Sequence, residues 1–131
     1  MPTTSSEVRP VSSLFTYVQT LPQLERKLHE ARQEKMPVMV EFFATWCPHC
    51  QRVDQEVLTD KKIRSSMKKF VTLRVDVSER NPQLAVIMEK YHVMGVPTML
   101  FFDKNGKRYD ADSLEQGITQ DGLQQVLNKL G

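Results

Sequence analysis

The chain has 131 residues, 40% hydrophobic and 26% charged, the length of one domain and the balance of a globular protein, which excludes wholesale disorder. Eighteen basic against sixteen acidic side chains leave a net charge of +2, and the scatter of both signs argues against a nucleic-acid platform or a polybasic membrane anchor. No run nears the roughly 18 consecutive apolar residues of a membrane-spanning helix.

Residues 1–13 are rich in Pro, Ser and Thr without hydrophobic period, and read as a flexible leader or linker before a domain over 14–131. They lack the apolar core of a secretory signal. Either the protein stays in the cytosol, or an export segment has been removed.

Leu14 to Gln19 suits a short strand. Leu21, Leu24, Leu28 and Ala31 recur at helical spacing, with Thr20 as cap and Pro22 tolerated in the first turn. Pro37 ends this helix near Lys35. Residues 38–44 form a compact apolar run with one acid, Glu41; such runs mark a central strand buried on both faces. Helical character follows from Cys47 to about Lys69, with a break and fresh cap at Thr59-Asp60. A second central strand is expected over 70–77 and a helix over 82–91. A strand is expected over 96–103, then a turn at Asn105-Gly106, a last strand within 108–116 and a helix over about 119–130. Alternating strands and helices with a final hairpin and helix indicate an α/β fold with a mixed sheet.

The two cysteines, Cys47 and Cys50, are separated by two residues. A bridge between them closes a tiny loop and staples nothing, so the pair needs a chemical explanation. A zinc site needs four ligands, and no second cysteine pair exists; no metal is expected. At a helix N-terminus, Cys47 receives the helix dipole and unpaired backbone N–H groups, which favour the thiolate. Pro48 suits the first helical position. Cys50 lies one turn on, within bonding reach, and is the natural resolving thiol. His49 adds a donor or a positive charge near the sulfur. Glu41, in an apolar strand, is expected to hold its proton more tightly through desolvation and to exchange it with Cys50; the alternative is that it faces solvent at a sheet edge. Val96-Pro97 opens a strand with a proline, which is unusual away from an edge or special turn.

Residues 40–50, followed by Gly95-Val96-Pro97-Thr98, resemble the thioredoxin superfamily. Phe15-Thr16, Lys35-Met36-Pro37, the Leu58-Thr59-Asp60 break and residues 93–103 are similar to the C-terminal thioredoxin-like domain of the DsbD thiol:disulfide interchange family. The resemblance implies a thioredoxin fold, a central mixed sheet flanked by helices, with an extra N-terminal strand and helix. It implies a protein-disulfide oxidoreductase with Cys47 as nucleophile and Cys50 as resolving thiol. Pro97 would be a cis-proline facing them. Val96 would offer backbone groups to an extended substrate, and Trp46 an apolar rim. The only redox group implied is the Cys47–Cys50 pair itself, without a separate cofactor. Partners would be protein thiols and disulfides, with a membrane electron donor upstream and a periplasmic or exported setting; a monomer is expected.

The sequence also departs from that pattern. Pro48-His49 resembles the oxidase DsbA, which leaves a dithiol oxidase or isomerase as the alternative. A non-catalytic binding module is the third reading. Thioredoxin carries a lysine near its buried acid at the position that reads here as Thr72, and Arg74 is expected to face away from Glu41.

Overall fold

The computed structural model describes residues 9–131. In chain order the elements are β1 (Thr16–Tyr17), α1 (Leu21–Gln33), β2 (Val38–Phe43), α2 (Pro48–Glu56), α3 (Lys61–Met67), β3 (Val71–Asp76), α4 (Pro82–Lys90), β4 (Thr98–Phe102), β5 (Arg108–Tyr109) and α5 (Gln120–Leu130). Of the leader expected over 1–13, residues 1–8 lie outside the described residues. Val11–Leu14 is a 3-10 turn, and Val11 and Leu14 pack on the core. Packing therefore begins before the boundary expected at 14.

The sheet runs β1-β3-β2-β4-β5. β1 and β2 pair parallel with β3; β4 pairs antiparallel with β2 and β5. Each edge strand has only two residues, which limits the length of unpaired backbone offered to other chains. The last strand, expected within 108–116, is Arg108–Tyr109, and a 3-10 turn at Asp112–Leu114 leads into α5. β4 begins at Thr98, two residues later than expected, leaving Val96 and Pro97 in the preceding turn. Pro97 has no N–H for a sheet ladder.

Alternation along the strands builds two cores. Met39 and Phe101 pack with Val53 and Val57 of α2, Ile63 and Met67 of α3, and Leu123, Val126 and Leu127 of α5. Val38, Val40, Phe42, Leu73, Val75 and Leu100 pack on the other face with Leu24, Ala31, Leu84 and Ile87 of α1 and α4. A one-residue slip in β2 would exchange these two sets.

The helix ends are set locally. Thr20 and Gln23 form a reciprocal capping box on α1, which satisfies two otherwise unpaired backbone donors. Asp60 Oδ2 accepts from Ile63 N at 3.1 Å and starts α3 afresh after the break. Asn81 and Thr119 cap α4 and α5. Among the described residues no helix is long and apolar enough to cross a membrane.

Candidate functional site

Central strand β2 ends at Phe43, and the chain turns into α2 through Ala44 and Cys47, where Cys47 N donates to Ala44 O at 3.2 Å. Cys47 is the N-cap of α2, and its Sγ accepts from Cys50 N at 3.2 Å. A sulfur thus takes the place of the usual capping oxygen and meets one of the helix's unpaired donors. Pro48 begins the helix. Both cysteines are free thiols, with Cys47 4% and Cys50 1% exposed.

The turn before β4 faces them. The Val96–Pro97 peptide is cis, and the Cys47 thiol donates to Val96 O at 3.7 Å. Residues 49 spacings apart in the chain are thereby joined at the mouth of α2. Trp46 and Val96 line one side, an apolar hollow of about 540 Å³ completed by Val77, Leu84 and Met88. His49 and Pro97 line the other, a more polar cleft of about 780 Å³ with Arg52 and Asp110. Trp46 is 64% exposed, and its Nε1 donates to Ser78 O at 2.9 Å. Ser78 Oγ also accepts from Thr45 N at 2.8 Å, so one residue pins the approach to Cys47 twice. The sequence reading missed Ser78; its place in a loop after β3 carries no local signal.

Beneath the sulfurs lies Glu41, fully buried in the sheet's central strand, so the sheet-edge alternative is excluded. Arg74 corrects the sequence expectation. Glu41 and Arg74 are direct partners in the β2–β3 register, and neighbouring strands in register present partner side chains on one face. Arg74 Nε donates to Glu41 Oε1 at 2.9 Å, and its Nη2 lies 2.8 Å from the same oxygen. Nη2 also reaches Asp54 Oδ1 of α2 at 2.6 Å, and Nη1 donates to Tyr17 Oη at 3.3 Å. The guanidinium is stacked on Phe43 and Phe15, 4.0 and 4.6 Å from the ring centroids. A usable signal was present: a lone acid inside a buried strand calls for a cation, and Arg74 is the basic residue inside the other long strand. Thr72, at the position compared with the thioredoxin lysine, instead donates to Leu14 O at 2.6 Å.

Burial raises Glu41 to about 7 against the opposing pull of Arg74, with Asp54 adding to the rise. Burial, then the hydrogen bond with Cys47, pushes the Cys50 thiol up to about 12; the charge of Glu41 contributes in the same direction. The arrangement therefore offers a nearly buried capping sulfur at the mouth of α2, a second sulfur that needs help to ionise, and a buried carboxyl that titrates near neutrality. Among the described residues no group of three or more His, Cys, Asp or Glu is placed to hold a metal ion.

Comparison with known proteins agrees with this architecture. The family model described as Thioredoxin-like matches residues 19–104. The thiol:disulfide interchange protein DsbD 1 of Pseudomonas aeruginosa is 32% identical over 107 residues, which is 82% of this chain and 18% of that protein. DsbD of Yersinia enterocolitica is 30% identical over 129 residues, 98% of this chain and 22% of that protein. The chain thus spans about a fifth of the length of these relatives. Among solved structures, the oxidised C-terminal domain of Neisseria meningitidis DsbD superposes with a TM-score of 0.71 at 18% identity, covering 88% of this chain and 100% of that one. Fasciola hepatica thioredoxin gives 0.69 at 23% identity, covering 89% and 100%. These structures share the mixed sheet and its flanking helices, and with the family match over more than half of the sequence they show that the chain belongs to the thioredoxin-like family, as a domain similar to the C-terminal domain of DsbD.

Proposed function

We propose that this domain is a protein-disulfide oxidoreductase working as a reductase or electron relay. The observation that carries the reading is the placement of Cys47, a sulfur capping α2 and in contact with Val96 beside the cis-proline. Cys47 attacks a partner disulfide and releases one partner thiolate. Cys50 gives its proton to Glu41 and attacks the Cys47 sulfur, and the second partner thiolate leaves. Two electrons pass to the partner, and a Cys47–Cys50 disulfide remains. No cofactor beyond this pair takes part.

The apolar hollow of Trp46 and Val96 supports a role for these residues in holding an extended polypeptide, with Val96 as the backbone contact and Pro97 closing the far side. The relatives named as thiol:disulfide interchange proteins support disulfide exchange as the chemistry; the partners in this reading are protein thiols and disulfides in a periplasmic or exported setting, with a membrane electron donor upstream.

Two measurements test the reading. The native protein should reduce insulin disulfides and Cys47→Ser should not; an inactive native protein would favour a binding module, and activity surviving in Cys47→Ser would overturn Cys47 as the nucleophile. The potential of the pair, equilibrated against glutathione, should be about −200 mV or lower; a value near −120 mV would mark an oxidant instead.

A further inference from the structure

Arg74 sits where four elements meet. Around Glu41 the facing groups are Arg74 from β3, Asp54 and Cys50 from α2, and Met99, its uncharged register partner in β4. Tyr17 of β1 reaches the cluster through Arg74. The guanidinium contacts only one oxygen of Glu41, Oε1. The other, Oε2, is buried without a hydrogen-bond partner. Of the two nitrogens on Oε1, Nη2 is also on Asp54, so one permanent cation serves two carboxylates. With both ionised the cluster carries −1 in a dry site; with one proton it is neutral. Asp54 is 30% exposed and Glu41 fully buried, so desolvation puts that proton on Glu41.

We propose that Arg74 is a positioning residue for the second half of the exchange: by clamping Glu41 Oε1 and sharing its charge with Asp54, it leaves Oε2 as the seat of one movable proton that Cys50 gives up and recovers. In the reducing direction the Cys50 S–H proton passes to ionised Glu41, the Cys50 sulfur bonds to Cys47, and the partner thiolate departs. In reverse a partner thiolate attacks Cys47, the Cys47–Cys50 bond breaks, and Glu41 returns the proton to the leaving Cys50 sulfur. This role rests on the proposed disulfide exchange.

The two neighbours of Glu41 pull in opposite directions, and that gives a test that mere structural support would not pass. The reduced protein is mixed with an aromatic nitrobenzoate disulfide whose released thiolate is coloured. The first release reports attack by Cys47, and the second reports resolution by Cys50. Removing the cation in Arg74→Met should move the pH midpoint of the second release upward by about one pH unit or more. Asp54→Asn leaves the whole cation to Glu41 and should move it downward. Arg74→Lys should fall between native and Arg74→Met. If Arg74→Met does not fold, Asp54→Asn and Arg74→Lys decide the matter. Midpoints that stay fixed, or that shift the same way in the Asp54 and Arg74 variants, overturn the proposal. Absence of the first release in the native protein would instead overturn the exchange reading itself.

Discussion

Cys47 Sγ and the carbonyl oxygen of Val96 stand 3.7 Å apart, joining the N-terminus of α2 to the turn that enters β4. A polypeptide segment laid along that turn would meet the sulfur directly. Val96, Ala44, Phe43 and Val77 leave Cys47 nearly buried, so the proposed exchange requires the partner to enter beside it.

Cys50→Ser should leave attack intact and halt resolution, so a mixed disulfide through Cys47 accumulates with a protein substrate. Non-reducing electrophoresis and mass spectrometry of the adduct would show it. An adduct mapped to Cys50 in Cys47→Ser, formed equally fast, would reverse the assignment.

Cys50 should also resist alkylation. Its thiol is held neutral by burial until about pH 12, and the thiolate is the reactive form. Iodoacetamide at pH 9 should therefore modify Cys47 and leave Cys50 unmodified in peptide maps of the folded, reduced protein. Full modification of Cys50 at that pH would contradict its environment.

Glu41 should write a slope into stability against pH. Its carboxyl ionises near 4.5 in the unfolded chain and about 7 in the fold. Between those values the folded form keeps a proton that the unfolded form has released. Stability from this group is thus highest below about pH 4.5, falls as pH rises, and is lowest above about 7, by on the order of 3 kcal/mol. Glu41→Gln stays neutral throughout, so its advantage over the native protein should grow from pH 5 to pH 8 in urea titrations. A constant difference across that range would refute the shift.

Trp46→Ala should separate substrate holding from chemistry. The side chain is largely exposed and makes one hydrogen bond, to Ser78, so stability should fall by only about 1 kcal/mol. The KM for a protein disulfide should rise several-fold, while reaction with a small disulfide changes less. Equal losses on both substrates would place Trp46 in support of Cys47 rather than in substrate holding.

The order of elements was legible because each has a local cause. The apolar run 38–44 can only be a doubly buried strand. Asp60 restarts a helix because its carboxylate accepts from Ile63. Cys47 and Cys50 sit one helical turn apart wherever their helix lies. The short edge strands were less legible, since Thr16–Tyr17 and Arg108–Tyr109 are exposed or half-buried and carry no pattern long enough to set their ends.

Thus the sequence by itself determined the helix-capping cysteine, the acid within a buried strand and the proline at the opening of another, because these follow from spacing, propensity and periodicity along a few residues. Only the tertiary structure decided that Arg74 faces Glu41 and Asp54, that Ser78 fastens Trp46, and that Val96 meets Cys47. Those pairings are set by strand register and by how helix α2 lies on the sheet, and neither is a property of any one segment.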